Sequence, residues 1–280
     1  MICVRKLSCL ALLLSLSACA SEPIRPPGVP RDVPQPSRVQ LIKTEGFKVW
    51  IDRACLHRSE QTILLRELRY AKKRLLEYLG TARAPGDFRP RNEPRPACPS
   101  PVALPVPDPI EVVVLRGGHE RCHADSDGIT VLKAHLERRD TTHELTHFLA
   151  GSSWRPLDEG LAVYLTERLW GADNAYPIKT RARVFSDLGL AEDLDPALLE
   201  EDGMSRRDYD LAGAFVGWLI ESYGKERFWK LYHGPTRNYH PTYDMSEAEL
   251  WERFWLYVRN LDVRHDGPYH AFKAKLTQRE

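Results

Sequence analysis

The chain has 280 residues, of which 42% are hydrophobic and 28% charged, with a formal net charge of +1. That length supplies one or two domains with a sizeable core, and the balance excludes a disordered chain. A charge so near zero offers no broad basic field to recruit nucleic acid.

Residues 1–18 read as a secretory signal rather than as part of the fold. Arg5 and Lys6 give a positive start, and Leu7 to Leu16 form a short apolar run. The run is too short for a bilayer span, which takes about 20 residues. The ending Leu16-Ser17-Ala18-Cys19 resembles the lipobox of bacterial lipoproteins. That resemblance implies cleavage before Cys19, lipidation of its thiol and a membrane anchor in the cell envelope. Ala20 after it resembles the pattern sorted to the outer membrane, facing the periplasm. Residues 19–38 then form the lipidated end and a tether. Six prolines between 20 and 38 predict a semi-extended spacer of about 3.1 Å per residue, roughly 60 Å in all.

The folded domain is expected to span 39–280, with an α/β subdomain over about 39–151 and a helical one over about 152–280. Phe47 to Asp52 alternates in strand fashion. Ser59 to Leu79 carries Ile63, Leu64, Leu68, Ala71, Leu75, Leu76 and Leu79 at helical spacing and stops at Gly80, which predicts a helix. Ala84 to Pro109 is a long loop with nine prolines, read as a surface insertion. Glu111 to Leu115 is a buried strand and Gly128 to Leu132 a shorter one. Asp125-Ser126-Asp127-Gly128 reads as a turn, since the later ligands of a calcium loop are missing. In an oxidising compartment one disulfide is expected among Cys55, Cys98 and Cys122, with the pairing open. A metal site at Cys122-His123 lacks further ligands at finger-like spacing.

The stretch Thr141 to Gly151 contains His143-Glu144-Leu145-Thr146-His147. On a helix, residues four apart share a face, so both imidazoles can reach one zinc ion. Glu144 stands about 100° round the helix, near enough to serve as a general base without being a ligand. Catalytic zinc has three protein ligands and one open place. Glu159, twelve residues after His147, can be the third. Gly151 ends the first helix, and Pro156 opens a second over about 156–169, closed by Gly171. Glu159 then falls one turn into an antiparallel neighbour. Asp158 beside it either holds an imidazole in place or simply complements the helix N-terminus.

His143-Glu144-Leu145-Thr146-His147 followed by Asp158-Glu159-Gly160-Leu161-Ala162 resembles the gluzincin metallopeptidases, particularly the peptidase MA-like proteins. The likeness is concentrated in residues 141–165 and reaches more weakly to about 232. It implies a zincin-like α+β fold, with a small mixed sheet and helix before mostly helical structure. It also implies zinc held by His143, His147 and Glu159, Glu144 as base and proton shuttle, and a peptide or protein substrate. The β-α-β-β order before the zinc helix fits the upper part of a zincin, whose edge strand binds peptide by strand addition. That edge is expected at residues 129–132 or just before them. A metzincin is disfavoured, because Ala150 and Ser153 stand where that pattern requires Gly and His.

Asp208 to Gly224 is an amphipathic helix with a glycine stop. It resembles the gluzincin segment in which a Tyr precedes a small-residue helix, which implies Tyr209 as oxyanion donor. The match departs by one residue, with Ala212 where Gly is expected and Gly213 next. Packing at a helix start is the plain alternative for Tyr209. Tyr232, His233 and Tyr239 are further candidates. Phe228, Trp229, Leu250, Trp251, Phe254, Trp255, Tyr257 and Val258 recur at helical intervals and are expected in the core. No Gly-x-Met-Glu-Asn segment of the gluzincin aminopeptidases lies between Val112 and Asp140, which favours an endopeptidase. A zincin-fold envelope lipoprotein that binds or only packs, without turnover, is the alternative.

Overall fold

The computed structural model describes residues 39–79, 82–83, 104–106, 108–117, 122–125, 128–151, 153–171, 176–190, 204–234 and 238–278. The signal, the tether with Cys19, Cys98 and most of the proline-rich loop lie outside them. Among the described residues, no helix is long and apolar enough to cross a membrane.

The architecture is α+β. A mixed five-stranded sheet has the order β1-β2-β5-β7-β6. β1 (Val39–Thr44) and β2 (Phe47–Asp52) form an antiparallel hairpin at one side. α1 (Arg58–Leu79) carries the chain to β5 (Ile110–Leu115), which pairs parallel to β2. A two-residue pair, β3 (Ala82–Arg83) with β4 (Leu104–Pro105), lies between them in sequence. β7 (Gly128–Leu132) is parallel to β5, and β6 (His123–Ala124) closes the other side antiparallel to β7. Phe47, Val49 and Ile51 face the core while their neighbours are half-buried, the alternation of a strand with one wet face. β5 and β7 lie inside the sheet and are apolar almost throughout, as strands covered on both faces must be.

The expected strand-helix-strand-strand order is borne out, and β1 adds a strand that the sequence reading missed. The two end residues of the predicted turn, Asp125 and Gly128, are bonded to each other. The Gly128 amide donates to Asp125 Oδ1 at 2.9 Å, and the Asp125 amide to Gly128 O at 3.0 Å. Of the two places expected for the sheet edge, residues 129–132 are not the edge and the segment just before them is, since β6 pairs with Ile129 and Thr130.

A 3₁₀ turn (Lys133–Arg138) leads into α2 (Asp140–Ala150), followed by α3 (Arg155–Trp170). Then come α4 (Ile178–Asp187), α5 (Arg206–Tyr223), α6 (Lys225–Tyr232), α7 (His240–Tyr243), α8 (Glu247–Arg259) and α9 (Gly267–Thr277). One apolar core runs from β2, β5 and α1 through α2 and α3 to α8 and α9. The residues expected there are in it or packed against it, and Phe215 stacks on Trp251 at 4.2 Å between ring centroids.

α3 and α5 pack without room for side chains at their crossing. A Cβ on Gly160 would stand 2.5 Å from the Ala212 carbonyl oxygen, and one on Gly213 would stand 2.6 Å from Val163 Cγ1. This close approach brings the start of α5, and hence Tyr209, against the residues that precede and follow Glu159.

The helical half is tied together at Asp187, the last residue of α4. Its carboxylate accepts from Arg183 Nε at 3.1 Å, Arg264 Nη2 at 2.9 Å and the Tyr269 hydroxyl at 2.7 Å. Burial alone would raise its pKa, but the bonds from Arg264, Tyr269 and Arg183 outweigh it and hold the value at about 2 against an ordinary 3.8. A carboxylate depressed on folding adds stability above its unfolded pKa and loses it as pH falls through the folded value. Asp187→Asn should therefore cost about 2 kcal/mol near neutral pH. Urea melts of the two proteins should converge between about pH 4 and pH 2.

Candidate metal centre

The ligand set is assembled by two antiparallel helices. Gly151 ends α2 with φ 76°, and its amide donates to His147 O at 3.0 Å. Trp154 precedes α3, and Pro156 sits in its first turn, where a missing N–H costs nothing. At the far end, Trp170 Nε1 donates to Thr142 Oγ1 at 2.9 Å. The last turn of α3 is thereby pinned beside the first turn of α2. The predicted helix pair and its antiparallel sense are both observed.

Between these fastenings, three donor atoms converge. His143 Nε2 lies 3.1 Å from Glu159 Oε2 and 3.1 Å from His147 Nε2. His147 Nε2 lies 3.2 Å from the same Glu159 oxygen. Ligands about 2.0–2.1 Å from a tetrahedral ion stand about 3.3–3.4 Å apart, so this triangle is within a few tenths of an ångström of a metal-ready face. Two imidazoles and one carboxylate are also the donors that suit zinc. These three residues could hold a metal ion.

The surrounding groups aim the ligands. His147 Nδ1 lies 2.9 Å from Asp158 Oδ1. A carboxylate accepts, so the ring proton belongs on Nδ1 and the Nε2 lone pair turns inward. The Tyr232 hydroxyl is 2.8 Å from Asp158 Oδ1 and 2.8 Å from Gly151 O, and Ser153 Oγ donates to Tyr232 O at 2.6 Å. The end of α6 thus clamps the link between α2 and α3. Asp158 is more than a helix N-terminal charge. Such partners tune metal affinity by about 10–100-fold, so Asp158→Ala should weaken zinc binding by about that factor. Competition against a chromogenic chelator would measure it.

Electrostatics bind the cluster tightly. Burial opposes charge on both His147 and Glu159. Nevertheless Asp158 and Glu159 raise the His147 pKa well above its ordinary value, and the two histidines hold Glu159 well below its own. A cation belongs among these groups, whether proton or metal. Glu144 is buried beside them, and its pKa is raised chiefly by that burial, against the pull of His143 and His147.

Tyr209 comes to the site as expected. Its ring centroid lies 6.3 Å from that of His143, and its pKa is raised by burial and by Glu159. Arg155, which the sequence reading passed over, hydrogen-bonds to it. Tyr232 reaches the centre through Asp158. His233 stacks on Trp229 and Tyr239 packs on Trp154, both inside aromatic clusters.

Cys55 and Cys122 are free thiols, and Cys98 lies outside the described residues. Cys122 has ligand-type neighbours after all. They are His135 and Asp140 rather than His123. Burial pushes the Cys122 thiol up to about 11, with Glu144 and Asp140 adding to the effect, which keeps it protonated and poorly nucleophilic at neutral pH when no cation is near.

The chain matches no protein-family model and no curated protein.

Proposed function

We propose that this chain is a zinc-dependent peptide hydrolase of the gluzincin kind, carried on an envelope lipoprotein anchored through Cys19. The observation that supports it most is the triangle of His143 Nε2, His147 Nε2 and Glu159 Oε2, with edges of 3.1–3.2 Å and the buried Glu144 beside it. A structural helix pair has no need to bring three lone-pair donors together, since their mutual repulsion favours separation unless a cation sits among them.

His143, His147 and Glu159 would hold the ion. Zinc, when bound, would lower the pKa of a water molecule and polarise the scissile carbonyl. Glu144 would accept the proton as the water oxygen attacks the carbonyl carbon, then return it to the leaving amine as the C–N bond breaks. Asp158 would keep the His147 ring turned to the ion, with Tyr232 fixing Asp158. Tyr209, kept protonated by burial, would donate to the oxyanion. One such donor is worth about 3–4 kcal/mol. The peptide would lie along β6, the antiparallel edge beside α2, by strand addition. An internal stretch of substrate fits such a site, which favours an endopeptidase.

The test is metal analysis of the full chain together with incubation against a random peptide library. One bound zinc at this centre and internal cleavages are expected. Zinc without cleavage would leave a binding lipoprotein, and no zinc at this centre would leave a structural one.

A further inference from the structure

A second group of donors stands outside the centre just described. Cys122 precedes the edge strand β6. His135 lies in the 3₁₀ turn, and Asp140 is the first residue of α2. Their positions in sequence follow no known ligand spacing, but the fold brings them together. β6 runs antiparallel to β7, and the Leu132 amide donates to Cys122 Sγ at 3.3 Å, which anchors the sulfur beside the start of the turn. The turn then doubles back, so that His135 Nδ1 lies 2.6 Å from Asp140 Oδ2. One sulfur, one imidazole nitrogen and one carboxylate oxygen all fall within 4.8 Å of one another.

We propose that Cys122, His135 and Asp140 form a second metal site, for a thiophilic divalent cation with zinc preferred, which clasps the sheet edge to the first turn of α2. Binding would release to solvent the Cys122 thiol proton and the proton that His135 Nδ1 shares with Asp140 Oδ2, and those two atoms would part to about 3.3 Å, leaving a thiolate, a carboxylate and a neutral imidazole, a donor set of the zinc type. Hard ions such as magnesium or calcium take oxygen ligands and are disfavoured by the sulfur. All three side chains are partly exposed, so an ion can enter and water can complete the tetrahedron. Glu144 and Asp140 act on the sulfur as like charges, and a bound cation would offset that repulsion. Asp140 is three residues before His143 in the same helix, and β6 is the strand along which substrate would lie. The ion would therefore brace two walls of the main centre without belonging to it. This inference stands whether or not the main centre is catalytic.

The experiment uses the full chain, purified under reducing conditions, stripped of metal and titrated with cobalt(II) chloride. Two equivalents are expected, one of them producing a thiolate-to-cobalt charge-transfer band. His147→Ala should lose the other equivalent and keep that band. Cys122→Ser should lose the band and keep the other equivalent. His135→Gln, a change at a partly exposed position that retains the thiol, should weaken the band-forming site by at least tenfold even if the Cys122 variant folds poorly. A chain that binds one equivalent without a charge-transfer band would overturn the proposal. So would a band that survives Cys122→Ser, or a disulfide joining Cys122 to Cys55 or Cys98 in a parallel preparation of the full chain made without reductant.

Discussion

Glu144→Gln is expected to remove peptide cleavage while leaving zinc at the His143–His147–Glu159 centre. The carboxylate is buried next to the ligands without being one of the three donors that meet at 3.1–3.2 Å. The amide has nearly the same shape, so packing should persist, but it cannot accept a proton. General base catalysis contributes about 10²–10⁴-fold, and kcat should fall by that amount with zinc stoichiometry unchanged. Glu159→Ala should behave differently. It removes one of three ligands together with the negative charge that faces both imidazoles, so zinc and activity should disappear together. Single-turnover cleavage and metal analysis of both variants would separate base from ligand. Glu144→Gln with unimpaired cleavage would remove the hydrolase reading. Tight zinc binding in Glu159→Ala would remove the third ligand.

The main centre was legible in the sequence for a local reason. His143 and His147 share a helix face by spacing alone, and Gly151 and Pro156 mark where one helix stops and the next begins. Two helices joined by so short a link have little choice but to pack antiparallel, which delivers Glu159 to the histidines. What escaped notice is what only tertiary folding brings near. Tyr232 reaches Asp158 across 74 positions of sequence, a contact that its place among the further oxyanion candidates does not foretell. Arg155 looks like an ordinary charge at a helix start. The Cys122, His135 and Asp140 group depends on a strand edge, a 3₁₀ turn and a helix start, so it has no periodicity to detect. β1 was missed because its burial is weak and irregular, as fits an edge strand with only one neighbour. Asp210, the residue after Tyr209, is a buried charge that nothing in its local sequence marks out.

Asp210→Ala is expected to destabilise the fold by about 3–5 kcal/mol, the range for removing one partner of a buried ion pair. Asp210 is 4% exposed and Arg181 6%. Arg181 Nη1 lies 2.9 Å from Asp210 Oδ1, and its Nη2 lies 3.3 Å from Glu167 Oε2. The pair thus joins α3, α4 and α5 where Tyr209 begins its approach to the centre. Burial raises the Asp210 pKa and lowers that of Arg181, in each case against the attraction of the partner. Desolvation therefore outweighs the pairing on both sides. It follows that losing one charge and losing both should have opposite consequences. Arg181→Met combined with Asp210→Leu replaces the pair with packing of similar volume, and such exchanges are commonly neutral or stabilising. Urea unfolding of the single and double variants would expose the difference as a coupling energy of several kcal/mol, on the order of the single-variant loss. If the double variant were as unstable as Asp210→Ala alone, the pair would be contributing net stability, and the desolvation argument would fail.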